Sequence, residues 1–361
     1  MGKLTIQQIL DNPDKKVINI NDISFPTYDI FKSEQLKNYG VFSELMYNNF
    51  QILKKLEKAK DIPILVSGST GTGKEVMAKY LHFDVDNNQG PYIAINCANI
   101  NKDMFEAELF GYNKGAFTGA NQSGKDGYIA QAQEGTLFLD EITEISLDIQ
   151  SKLLRLLQER EYYRLGGNKK LNVNCRIICA SNKDIYKLVE KGLFREDLYY
   201  RLNIVNINIP RINERKEEII PLVLFFINLL NKKYNKNVHF IELKVIQLLN
   251  MYKWPGNIRE IKNFITQIMI FIDGNTIKFN HLEIKDNLDR QHTQSMSSNY
   301  YHTPDNNDEL VKKIINQPIK LESFIMEIVQ EVLKLYNGNK TKAAKHLGIK
   351  REQMYNRYKI D

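Results

Sequence analysis

Hydrophobic and polar positions along the chain follow two rhythms that alternate. Apolar residues at Leu45, Met46, Phe50, Leu53 and Leu56 recur at helical spacing across 41–58, which predicts an amphipathic helix. The short run Ile62-Pro-Ile-Leu-Val-Ser67 follows, then a glycine-rich stretch, then a helix-like segment over 75–83. Further apolar runs at 92–97, 135–141 and 175–182 predict strands buried on both faces. Between the last two, 147–161 is amphipathic, with Ile149, Leu153, Leu156 and Leu157 on one side. Strands alternating with helices predict an α/β fold built on a parallel sheet.

The rhythm then becomes helical throughout, with runs at 217–233, 242–251 and 257–271. A polar stretch over 285–319, containing Gln291-His-Thr-Gln-Ser-Met-Ser-Ser-Asn299, reads as a linker. Helical spacing returns at 321–336, followed by a short helix over 339–348 that ends at Gly348. A second short basic helix follows over 350–358. Helix, glycine turn, basic helix is a helix-turn-helix, in which Lys350, Arg351, Gln353, Asn356 and Arg357 face DNA. A basic three-helix protein-binding module is the alternative. The expected partition is a short arm (1–40), an α/β unit (41–210), a small all-α unit (211–284), the linker (285–319) and the terminal helical module (320–361).

Chemistry concentrates where the strands end. Gly68-Ser-Thr-Gly-Thr-Gly-Lys74 lies between a strand and a helix, the context a phosphate-binding loop requires. The backbone N–H groups of Gly68, Ser69, Thr70, Gly71, Thr72 and Gly73 curl round phosphates, and Lys74 reaches the terminal oxygens. Residue 75 is Glu where the general motif has a hydroxyl for Mg²⁺. The run 135–141 ends in two carboxylates, at the edge where open α/β sheets place ligands. Asp140 is positioned to hold Mg²⁺ through water, and Glu141 to orient an attacking water. Asn96 and Asn182 end two other strands. Each supplies a neutral amide for a carboxylate, a γ-phosphate or a water, or serves as a strand-end turn residue.

Three further features extend the pattern. Gly115-Ala-Phe-Thr-Gly-Ala120 holds one aromatic, Phe117, and one hydroxyl, Thr118, between Gly115 and Gly119. Glycine hinges around an apolar tip suit a moving contact surface; a tight turn with Phe117 folded inward is the alternative. Arg195 and Arg201 either pair with Glu196 and Asp197 or reach into a neighbouring subunit. Arg259 follows Trp254-Pro-Gly-Asn257 in the first turn of a helix, where a cation opposes the helix dipole unless an anion compensates it. Asn257 is placed to cap that helix.

Composition narrows the class. The chain has 361 residues with 43% hydrophobic and 26% charged, enough for two or three domains. No apolar run approaches the ~18 residues that span a bilayer, so no membrane partner is expected. Cys97, Cys175 and Cys179 lie in apolar runs without CxxC pairing, which fits reduced core thiols in a cytoplasmic protein. The six scattered histidines offer no metal-ligand spacing. Net charge is +7, and 340–359 holds seven Lys or Arg against one acid, a phosphate-contacting surface.

The ordered motifs GSTGTGKE, ELFGYNKGAFTGA, GTLFLDE, FREDLYYRLN, WPGNIRE and NKTKAAKHLGI resemble those of sigma-54-dependent transcription activators, bacterial enhancer-binding proteins of the AAA+ class. The resemblance covers roughly residues 41–361. It implies a P-loop ATPase core that uses ATP and Mg²⁺, a helical lid, and a Fis-type helix-turn-helix that dimerises on enhancer-like DNA. It implies ring-shaped hexamers acting on the sigma-54 RNA polymerase holoenzyme, with Gly115, Ala116, Phe117, Thr118, Gly119 and Ala120 as the sigma-54 loop. Glutamate is usual at position 75 in the family. Asn96 matches an asparagine coupling the catalytic glutamate to that loop, Arg195 and Arg201 match the arginine fingers, and Arg259 matches the second sensor. Ser181 stands where threonine is common. Most relatives carry a receiver, GAF or PAS-type domain in front, which about 40 residues cannot hold; control by a separate regulatory protein, or by expression level, is the expectation.

Overall fold

The computed structural model describes residues 3–11, 16–87, 89–117, 123–282, 336 and 339–346. Contacts divide the chain into residues 1–292 and 293–361. In the second unit the described residues form one helix, Lys340–His346, whose Lys342 N–H donates to Asn339 Oδ1 at 3.1 Å. The expected DNA-contact residues Lys350, Arg351, Gln353, Asn356 and Arg357 lie outside the described residues.

In the first unit, the elements that position the site are, in chain order, β1 (Val17–Asn19), α1 (Glu44–Lys54), β2 (Ile64–Ser67), α2 (Lys74–Tyr80) and β3 (Tyr92–Asn96). Next come β4 (Thr136–Asp140), α3 (Leu147–Glu159), β5 (Arg176–Ser181) and β6 (Val205–Asn208). The lid supplies α4 (Ile219–Tyr234), β7 (Phe240–Glu242), α5 (Leu243–Met251), α6 (Asn257–Phe271) and β8 (Thr276–Ile277).

The main sheet runs β6-β2-β5-β4-β3, every pairing parallel. Burial on both faces explains the unbroken apolar runs. Leu137 and Leu139 join Ile95, Ile177 and Cys179 beneath Leu153, Leu156 and Leu157 of α3. Phe138 points the other way, to Ile64, Val66 and Ile178 beneath Met46 and Phe50 of α1 and Met77 of α2. Because side chains alternate, a one-residue slip would exchange the two cores. The register aligns Asn208 and Ser181 with Ser67, and Asn96 with Asp140. Polar residues from all five strands therefore collect at one edge. The edge strand β6 is not apparent in the sequence, because Asn206 and Asn208 interrupt Val205 and Ile207.

The small unit is helical, and it also carries a three-stranded sheet in which β7 pairs antiparallel with β1 and parallel with β8. Residues 1–40 are therefore more than the expected arm. Ile9, Ile18, Ile20 and Ile23 are buried in the lid core with Ile227, Ile246 and Ile265. Three-residue strands are too short to show a period, which hid this role. The following residues turn to the ATPase side: Phe31 packs against Phe50 and Tyr80. The N–H groups of Lys32 and Ser33 both donate to the Asp84 carboxylate at 2.8 Å.

Candidate functional site

Each carbonyl of the loop 68–73 is taken by a donor. Lys74 Nζ donates to Gly68 O at 2.8 Å and to Ser69 O at 3.3 Å. The lid holds the next three: Asn257 Nδ2 donates to Thr70 O (2.9 Å), Ile258 N–H to Gly71 O (3.0 Å) and Arg215 Nη2 to Thr72 O (3.0 Å). Only glycine fits at 71, where φ is +79° and a Cβ would lie 2.3 Å from Gly256 O. The amide groups that remain form a concave nest at the N-terminus of α2, suited to an anion.

A cavity of about 480 Å³ opens over this nest. Its lining includes Gly71–Glu75, Asn96, Asp140, Glu141 and Arg259, and with them the apolar Phe31, Tyr39, Val41, Leu222 and Phe226. Lys74 is 8% exposed, and burial lowers its pKa while Asp140 and Glu141 pull against that and Arg259 adds to it. The lining thus sets Lys74 and Arg259 among the carboxylates of Glu75, Asp140 and Glu141, beside apolar side chains against which a flat ring can pack. A phosphorylated heterocycle matches both kinds of lining.

Glu141 has φ +55° and ψ +47°, the left-handed region, uncommon for a non-glycine residue and costly enough to mark a functional position. Asp140 Oδ1 accepts from Glu141 N–H at 2.9 Å. Among the described residues no three His, Cys, Asp or Glu cluster as a metal cage. The single strand-end carboxylate of Asp140 fits instead a Mg²⁺ that arrives on phosphates. Glu75 lines the cavity and pairs with Lys79 at 2.8 Å.

The sequence-predicted residues divide by location. Asn96 borders the cavity, its Oδ1 accepting from Ala98 N–H at 2.9 Å. Asn182 lies against the outer side of the loop, Nδ2 donating to Thr70 Oγ1 at 3.3 Å, and lines a separate cavity of about 380 Å³. Arg195 and Arg201 do not line the main cavity. Arg195 binds Asp197 through two bonds (3.0 and 2.7 Å) and Ser151 Oγ (3.1 Å); Arg201 donates to Leu157 O. Asn257 does not cap its helix. Gly256 is the N-cap, and the Asn257 amide is occupied by Thr70 and by Ile212 N–H.

The glycine-hinged stretch begins on a two-stranded ladder of Gly111–Tyr112 with Lys125–Asp126. Phe117 rests edge-on against Tyr112, with ring centroids 5.0 Å apart. Thr118, Gly119 and Ala120 lie outside the described residues.

Sequence reasoning missed Arg215 and Glu218, both nearly fully buried and bonded at 2.8 Å. Burial pulls the arginine pKa down and the glutamate pKa up. Glu218 also accepts from Ser43 Oγ. Their only local signal is an Arg-x-x-Glu spacing in a charged run, which ordinarily means a solvated face.

Three family models match in the same order as the units: a sigma-54 interaction domain over residues 41–208, an AAA+ ATPase lid domain over 213–299 and a bacterial regulatory protein of the Fis family over 320–359. Regulatory protein LuxO of Vibrio parahaemolyticus is 34% identical over 330 residues, 88% of this chain and 69% of LuxO. The chain belongs to the sigma-54-dependent transcription activators. Regulatory protein AtoC of Escherichia coli is 38% identical to this chain over 292 residues, 81% of the chain and 60% of AtoC. The chain thus spans about three fifths of that curated relative's length. The crystal structure of NtrX from Brucella abortus in complex with ATP superposes with TM-score 0.60 at 26% identity, covering 88% of the chain and 67% of NtrX. A P-loop core, a helical lid and a Fis-type DNA-binding module are thus the family frame of this chain.

Proposed function

We propose that this chain is an ATP-hydrolysing activator that binds upstream DNA and remodels closed sigma-54 polymerase complexes so that promoters open. The observation carrying this reading is the convergence of Lys74, Asp140, Glu141 and Arg259 on one cavity that apolar side chains also line. ATP is the substrate: the loop amides with Lys74 and Arg259 hold its phosphates, and the apolar side chains take its base. Mg²⁺, held by Asp140 and the phosphates, neutralises charge as the terminal phosphoryl leaves. Glu141 orients the attacking water and accepts its proton. Asn96, level with Asp140, relays the state of Glu141 to the Phe117 loop, and Asn182 reads it from the outer side of the phosphate loop.

Arg195 and Arg201, outside their own cavity, reach a neighbour's γ-phosphate in a ring, ordinarily a hexamer. Residues 115–120 then press on sigma-54. The Fis-type module, through Lys350, Arg351, Gln353, Asn356 and Arg357, holds enhancer-like DNA.

The test is open-complex formation at a sigma-54 promoter. The intact chain opens DNA with ATP. Glu141→Gln slows hydrolysis by a factor of about 10² or more while still binding ATP, and Phe117→Ala hydrolyses ATP without opening. Opening by Phe117→Ala at the parental rate would remove the loop from the mechanism.

A further inference from the structure

The lid's grip on the phosphate loop goes beyond ordinary interdomain packing. A trans peptide is planar, with C=O and N–H pointing opposite ways. A donor on one residue's carbonyl therefore fixes the direction of the next residue's N–H. Asn257 on Thr70 O aims the Gly71 amide and Arg215 on Thr72 O aims that of Gly73, while on the peptide between them Ile258 N–H holds Gly71 O and the Thr72 N–H turns to Ser69 O at 3.4 Å. Gly71 and Gly73 sit at φ +79° and +108°, and glycine is the residue least able to hold its own conformation. The direction of the Gly71 and Gly73 amides must therefore come from outside the loop, and Asn257 and Arg215 supply it.

The two side-chain donors are built for the task. Asn257 is 1% exposed at φ +54°, a backbone state asparagine tolerates better than most. Its Oδ1 accepts from Ile212 N–H at 2.9 Å, so one amide ties the residues that enter the lid to the loop. Arg215 is braced by Glu218, and Glu218 by Ser43 at the N-cap of α1. Arg215 Nε is buried with no partner, a desolvation cost that packing alone would not call for.

We propose that Asn257 and Arg215 are positioning residues that aim the loop amides at the phosphates, so that lid placement sets affinity for the phosphate chain and not for the base. The inference rests on the reading of the cavity as a nucleotide site. Rotation of the lid would release the three carbonyls together and loosen the nest.

Equilibrium titration of the full chain with ADP and with adenosine tests it, comparing the parent with Asn257→Gly, which keeps the positive φ, and Arg215→Met. Each variant weakens ADP by about tenfold, the scale of one lost hydrogen bond, and leaves adenosine affinity unchanged; Arg215→Lys recovers part of the loss. ADP and adenosine weakened by one common factor, or unchanged ADP affinity alongside a lowered melting temperature, would overturn the proposal and leave a structural role. A parent chain that binds no ADP would sink the nucleotide reading itself. Asn257→Gly keeps the test decisive if Arg215→Met does not fold.

Discussion

His82 is 1% exposed, with Nδ1 2.9 Å from Thr136 Oγ1 on the underside of β4. Burial lowers its pKa from the ordinary 6.5, against the opposing pull of Asp86. The folded chain thus keeps the ring neutral where the unfolded chain takes a proton. Its contribution is intact above about pH 6.5 and is lost as the pH falls from there toward the depressed folded value. The melting temperature of the parent should fall over that interval, and His82→Gln should flatten that part of the curve. Parallel curves from about pH 8 to about pH 5 would mean that His82 does not titrate on unfolding. At the same scale, Glu141 shows how much a single residue can hide. Its place at a strand end is apparent from Asp-Glu in the sequence, whereas its left-handed backbone emerges only from the fold.

Among the elements, β5 carries a residue that its apolar pattern conceals. Arg176 is 1% exposed, and its guanidinium binds both oxygens of Asp86 at 2.7 and 3.0 Å and the carbonyls of Leu56, Glu57 and Ala59. One side chain thus ties the sheet to the ends of α1 and of the segment after α2. Asp86→Ala leaves that cation buried and should destabilise by about 3–5 kcal/mol, while Asp86→Ala with Arg176→Met recovers much of it. Denaturant unfolding of the two variants measures both; an equal loss would show that the arginine finds other partners. The same distinction explains what the sequence disclosed. β2, β4, α3 and the loop 68–74 are local patterns with their chemistry attached, and each stands within a few residues of its expected bounds. The partners of Thr70 and Thr72 are 187 and 143 residues away in the chain, and no periodicity links such positions. β1 and β6 stayed hidden for a different reason. Three and four residues with polar alternation carry less signal than the neighbours they pair with.

On the scale of the whole molecule, the N-terminal residues close the first unit. Ile18 and Ile20 belong to the lid core, while Phe31 and Leu36 pack with the sheet and α2. Lid and sheet therefore share one stretch of chain besides the direct connection that follows β6, and both flank the cavity. No helix among the described residues is long and apolar enough to cross a membrane. Positive charge gathers in 340–359, so DNA affinity should reside there and weaken steeply with added salt.

The three thiols are all buried, and burial raises Cys97 to about 12 and Cys175 to about 11, with Cys179 raised as well. An alkylating reagent meets no thiolate until the fold opens, so its reaction rate is a clock for opening. Cys97 follows β3, where its N–H donates to Asp140 O at 2.9 Å, close to the cavity. Alkylation followed by peptide mass mapping should show Cys97 slowed by ADP more than Cys175. Equal protection would mean that the sheet opens only as a whole.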